Sequence, residues 1–274
     1  MTARRMVVSS RWAASMTTAA VIAAFALISQ GAHAQEARGG PDRDGAFRGI
    51  KNVVLVHGAW ADGSSWSKVI PLLEARGMHV VAVQSPLTSL ADDVAVTKRA
   101  IARLDGPVLL VGHSYGGAVI TQAGDDPNVA GLVYIAAFAP DQGESLLSLL
   151  SAYPTPIADE LIVDQFGFIT LTADGVRDDF AQDLTDTEQA VIAAVQGPTS
   201  VAAFTTQITT TAWKLKPTWY VVAKRDRTIA PDLERLFAQR MNATTIEMPT
   251  SHVPMLSRPA EVAAFISRAA RDLP

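Results

Sequence analysis

Residues 108–122 read V-L-L-V-G-H-S-Y-G-G-A-V-I-T-Q. Four apolar residues run without a break into Gly112-His113-Ser114-Tyr115-Gly116, and 117–122 continue in a pattern compatible with a helix. A continuous rather than alternating apolar run is that of a strand covered on both faces, as in a parallel sheet between layers of helices. A serine at a sharp strand-to-helix turn sits in strained backbone, and its neighbours two before and two after must be small to avoid clashes. Such a turn lifts the Ser114 hydroxyl above the sheet. A glycine-rich phosphate-binding turn is the other reading of so many glycines, but neither G-x-G-x-x-G nor a Walker lysine is present.

Outward from this stretch, runs of the same kind recur at 53–56, 80–83, 132–135, 219–222 and, less apolar, 244–248. Helical stripes fall between them. One is Trp66, Val69, Ile70 and Leu73, ending before Gly77 and with Pro71 as a candidate kink; others are Val94, Lys98, Ile101 and Leu104, and Val262, Phe265, Ile266 and Ala269 after Pro259. The expected fold is α/β, a doubly wound, mostly parallel sheet.

The interval 141–215 is far longer than a crossover helix needs. It is expected to form a mainly helical cap inserted between two late strands, over the carboxyl edge of the sheet where ligands bind in open α/β folds. Helices are expected at 146–150, 191–195 and 201–208, and a small strand or hairpin at 166–171. Eleven acids in the interval face only Arg177 and Lys214. They either disfavour anionic substrates or form a solvated outer face.

The N-terminus carries Arg4, Arg5 and Arg11, a mostly apolar stretch over 13–28, and Ala32-His33-Ala34. This predicts a signal peptide at 1–34 and a periplasmic or secreted protein, with the Arg4-Arg5 pair leaving the twin-arginine route open. The apolar stretch is shorter than the roughly 20 residues a spanning helix needs, so no stable membrane insertion is expected after cleavage. Residues 35–50 read as a flexible leader, and 51–274 as one domain. Without 1–34 the chain keeps 20 basic and 27 acidic residues, a balance that disfavours nucleic acid and anionic membranes as partners. With no cysteine, disulfides, thiolate metal sites and a cysteine nucleophile are excluded.

A serine hydroxyl is a poor nucleophile near neutral pH and needs a base. His79 begins an apolar strand and reads as structural; His113 adjoins the nucleophile and should point away from it; His57 reads as a loop brace. His252, in Ser251-His252-Val253-Pro254 after the last strand, is the candidate base. The imidazole needs a carboxylate to fix its tautomer, and Asp226, just past 219–222, is the candidate, with Asp141 as runner-up. Oxyanion donors are expected from the backbone N–H groups of Tyr115 and of Ala59, with Trp60 as second choice to Ala59. Trp60, Phe138 and Trp213 are candidate substrate-binding residues, alongside Tyr115, Phe166 and Phe168; the alternative for all of them is plain core.

With these residues assembled, 51–273 resembles the α/β-hydrolase superfamily, in particular its esterase and hydroxynitrile lyase branch with a small cap. The resemblance rests on V-L-V-H-G-A-W (54–60), V-G-H-S-Y-G-G (111–117), A-K-R-D (223–226) and S-H-V-P-M-L-S-R-P (251–259). It implies a hydrolase without cofactor that acts on a small-molecule ester through an acyl-enzyme. The lyases of that branch typically have Thr at the position of Gly58 and Lys after the catalytic His, where this chain has Val253; both departures point to hydrolysis. Carbon–carbon bond hydrolases, perhydrolases and lactonases keep the same triad and stay open, as does a slow-turnover ligand receptor.

Overall fold

The computed structural model describes residues 49–274. The predicted signal peptide and most of the predicted leader lie outside the described residues. The last two leader positions do not: Ile50 is buried and its N–H donates to the Ala270 carbonyl at 2.9 Å, so it is part of the packed domain.

The chain opens with β1 (Asn52–Val56), a short 3-10 turn (Gly63–Trp66), α1 (Ile70–Glu74) and β2 (His79–Ala82). It continues through α2 (Leu90–Ile101), β3 (Val108–Ser114), α3 (Gly116–Ala123) and β4 (Val129–Ala137). The cap follows, containing α4 (Leu146–Ala152), β5 (Leu161–Val163), β6 (Phe168–Leu171), α5 (Asp186–Val195), β7 (Thr199–Ser200) and α6 (Val201–Thr205). The last part is β8 (Thr218–Ala223), α7 (Pro231–Arg240), β9 (Thr244–Met248), α8 (Pro254–Ser257) and α9 (Pro259–Asp272).

Six strands form one sheet in the order β2-β1-β3-β4-β8-β9, every pairing parallel. Every residue of β3 and β8 is buried, as helices on both faces require. The chain winds from β1 outward to β2, then crosses back to β3 and runs the other way. The strand order therefore reverses between β1 and β3, and at such a switch point the loops diverge and leave a crevice. The loop after β1 and the turn after β3 both open there.

Local differences from the sequence expectation have physical causes. Trp66 belongs to the 3-10 turn, and Pro71 lies in the first turn of α1, where a missing N–H costs nothing, so it starts that helix instead of kinking it. Of the expected stripe, Ile101 and Leu104 are buried and Val94 packs partly against the core, whereas Lys98 does not turn inward and Leu90, Asp93 and Thr97 of α2 do. Asp93 and Thr97 are satisfied internally, and Lys98 pairs with Asp125 at 2.8 Å. In the cap, β5-β6-β7 form a three-stranded antiparallel sheet beside the helices, and α6 stops at Thr205 because Thr206 is extended. Among the described residues no helix is long and apolar enough to cross a membrane.

Candidate active site

Ser114 ends β3 with φ of +53°, in the left-handed region where a residue other than glycine is strained, and Tyr115 is the N-cap of α3. The flanking glycines are there for space. A Cβ on Gly112 would lie 2.6 Å from the Gly116 carbonyl oxygen, and one on Gly116 would lie 2.5 Å from that of Val56. The turn is pinned to β4, since Phe138 N–H donates to the Ser114 carbonyl at 3.1 Å and the register slips there, with Ala136 at φ of +44°.

The loop after β9 brings His252 back over this edge. Its Nδ1 lies 2.5 Å from Asp226 Oδ2. The other oxygen of Asp226 accepts the N–H groups of Thr228 at 2.7 Å and Ile229 at 2.8 Å. A carboxylate so placed fixes the imidazole with hydrogen on Nδ1. Nε2 of His252 is buried and has no hydrogen-bond partner among the described residues, so the nitrogen that would serve a nucleophile is uncommitted. No hydrogen bond joins it to Ser114 in this structure; such contacts are often loose before substrate binds. Asp141 is bonded to Lys214 and not to His252.

Two further histidines brace the site. His113 is fully buried and its Nε2 donates to the His252 carbonyl at 2.7 Å; burial, then the neighbouring His252 ring, holds its pKa well below the ordinary imidazole value. His57 Nε2 accepts Ser85 N–H at 3.0 Å, so its hydrogen is on Nδ1 and donates to the Gly58 carbonyl at 2.9 Å; burial lowers its pKa as well. His79 lies at the edge, 3.4 Å from the Asn52 amide oxygen.

The N–H groups of Ala59 and Tyr115 have no partner among the described residues, whereas Trp60 N–H donates to Thr199 Oγ1 at 3.2 Å. Trp60 is thereby removed as an oxyanion donor. Gly58 lets the loop come close: a Cβ there would lie 2.7 Å from Ser114 Cβ and 3.0 Å from His113 Nδ1.

A cavity of about 310 Å³ lies over Ser114, lined from the sheet side by Ala59, Trp60 and Phe138 and from the cap by Leu147, Ile157 and Phe204. Among the described residues no charged side chain lines it. Several cap acids are engaged elsewhere: Glu188 with Lys68, Asp179 with Arg227, Glu144 with Arg240, and Asp174 and Asp178 with Arg177. Of the expected binding residues, Trp60 and Phe138 line the cavity and Trp213 does not. Trp213 donates its indole N–H to the Pro140 carbonyl at 3.0 Å and packs under Lys214 and Arg240. The Tyr115 side chain turns inward to Asp93 at 2.6 Å, and Phe166 is exposed at a hairpin tip.

Sequence reading missed two buried acids. Glu234 of α7 is fully buried, with Oε2 accepting Ala223 N–H at 3.0 Å and Oε1 unpaired. Burial, then the neighbouring Asp226 charge, raises its pKa well above the carboxylate range. Asp93, raised by burial, supports Tyr115 and the Leu87 N–H. Both sit on the inward stripes of their helices, Glu234 beside Leu233 and Phe237, and a charge on an apolar stripe is the signal that would have found them.

The profile described as Alpha/beta hydrolase family matches residues 53–265. The chain is 34% identical over 128 residues to a carbendazim hydrolyzing esterase of Nocardioides sp. (strain SG-4G); the match covers 41% of this chain and 53% of that one, so it spans about half that relative's length. It is 26% identical over 235 residues to Methylesterase 8 of Arabidopsis thaliana, covering 76% and 85%. The solved structure of a pyrethroid hydrolase from Sphingobium faniae JZ-2 shares the fold with a TM-score of 0.69 at 24% identity, covering 81% of this chain and 97% of that one.

Proposed function

Because the chain belongs to the alpha/beta hydrolase family, we propose that it is a serine esterase acting on neutral carboxylic esters with small to medium acyl groups. The observation that carries this reading is the contact between Asp226 and His252 with Nε2 of His252 left free, at the sheet edge where Ser114 stands in left-handed backbone. Ser114 Oγ attacks the ester carbonyl while His252 Nε2 takes its proton. Asp226 holds the tautomer and stabilises the imidazolium. The N–H groups of Ala59 and Tyr115 receive the developing oxyanion. The protonated His252 then gives its proton to the departing alcohol, and water, activated by the same imidazole, hydrolyses the acyl-enzyme.

Relatives named as esterases and methylesterases support ester hydrolysis. The uncharged cavity supports neutral, apolar acyl groups. Against the lyase alternative stands the crowding at Gly58, where a threonine would push into Ser114. The N-terminal arginines, apolar stretch and A-x-A pattern support export to the periplasm or beyond the cell.

The test is hydrolysis of a p-nitrophenyl ester series by the protein and by Ser114→Ala. Turnover of the short esters should fall to background in the variant. Absence of turnover in the folded wild-type protein, or its persistence in the variant, would overturn the esterase reading.

A further inference from the structure

A second cavity, of about 250 Å³, lies beside the first and is lined largely by apolar side chains, among them Phe180, Leu184, Ile192, Val253 and Met255. Trp60 lines both cavities. On the Ser114 side its ring stacks on Phe204 with centroids 5.8 Å apart, and on the other side it meets Phe180 edge-on at 6.2 Å. Two hydrogen bonds tie it to the cap: the main-chain N–H to Thr199 Oγ1 and the indole N–H to the Ile169 carbonyl at 3.1 Å. Its φ of +57° is strained for a bulky residue and persists only where the surroundings over-determine it. The ring is therefore a fixed wall. It follows directly on Ala59, whose N–H faces the reacting carbonyl in the proposed reaction, so it stands where an acyl chain leaves the reaction centre.

We propose that Trp60 is the partition between the acyl chamber over Ser114 and this second apolar chamber, and that it sets the longest acyl group the enzyme accepts. This assignment rests on the esterase reading of Ser114. With the ring in place, the acyl group is confined to the first chamber, which selects short and medium chains. With the ring removed, the two chambers join and a straight hydrocarbon chain passes from one into the other. The second chamber takes hydrocarbon and no charged group: of its charged lining residues, Asp62 is engaged by the Ser64 N–H at 2.6 Å, and Lys68 and Glu188 are paired with each other.

The experiment compares Trp60→Ala, Trp60→Leu and Trp60→Phe with the wild-type chain on p-nitrophenyl esters from acetate to dodecanoate. One methylene in an apolar pocket is worth about tenfold or more in specificity, so the dodecanoate-to-butanoate ratio of kcat/KM should rise at least about tenfold in Trp60→Ala and by less as the replacement grows. Adding Ile192→Trp, which fills the second chamber, should cancel the gain. A second arm needs no hydrolysis: in the Ser114→Ala background, calorimetric titration with dodecan-1-ol and butan-1-ol should show the same preference appearing when Trp60→Ala is added. A shift in alcohol binding without ester turnover would keep the partition and discard the esterase reading. An unchanged ratio in folded Trp60 variants, with unchanged alcohol binding, would overturn the partition.

Discussion

His113 donates from Nε2 to the backbone carbonyl of His252 at 2.7 Å, and the two rings lie 4.8 Å apart. The residue just before the strand-end serine therefore holds the loop that carries the proposed base. The bond requires hydrogen on Nε2, and burial favours the neutral ring by lowering the pKa.

Replacing His113 by Leu removes the donor and leaves the His252 carbonyl buried without it. Stability should drop by about 1–3 kcal/mol, and kcat by about 100-fold, as expected for a misplacement of about 1 Å. Gln, which offers an N–H at similar reach, should recover much of both. Chemical denaturation and steady-state kinetics of the two variants decide it; an unchanged kcat in His113→Leu would show that His252 needs no such anchor.

Glu234 and Asp226 are two buried carboxyls side by side, and they cannot both ionise cheaply. Asp226 receives three N–H donors and Glu234 one, so the proton belongs on Glu234. With the folded-state pKa raised, the unfolded chain releases this proton first as pH rises. Stability is then fully present below about pH 4.3, the ordinary glutamate value, and is lost as pH rises toward the raised value, by up to about 1.4 kcal/mol per pH unit. Glu234→Gln removes this dependence, so its stability relative to wild type should improve steadily from acid to neutral pH. Urea midpoints at several pH values measure it, and parallel curves would mean that Glu234 is ionised when folded.

Asp226→Asn should leave the fold intact and reduce kcat by about 10⁴, because an amide cannot hold the imidazole in the required tautomer. Asp141→Asn breaks a partly exposed pair with Lys214 and should change stability by less than about 1 kcal/mol with kcat unaltered. The opposite pattern would transfer the acid role to Asp141.

The central strands of the main sheet are readable because parallel strands covered on both faces need continuous apolar runs, and 108–111, 132–135 and 219–222 are such runs. The turn at Ser114 was readable because small residues are forced there by backbone only 2.5–2.6 Å from a notional Cβ. What escaped were inward polar positions with private partners. Asp93 and Glu234 look like surface charges until Tyr115, Leu87 and Ala223 are seen to donate to them. Trp213 looks like a pocket residue until its N–H is traced to Pro140. Such pairings join a side chain to a different element or loop, from 6 to 73 residues away, and no local periodicity records them.

The cap segment around Phe180 touches both loops that carry the imidazole and its carboxylate. Asp183 accepts Ser251 N–H at 2.9 Å, Thr228 Oγ1 donates to the Asp179 carbonyl at 2.9 Å, Gln182 donates to the Arg225 carbonyl at 2.6 Å, and the Phe180 ring lies 5.1 Å from that of His252. The insertion is thus not a detachable module. Transplanting a cap from a relative would import a new substrate chamber and, with it, a new alignment of acid and base, so chamber shape in this scaffold is better altered one side chain at a time.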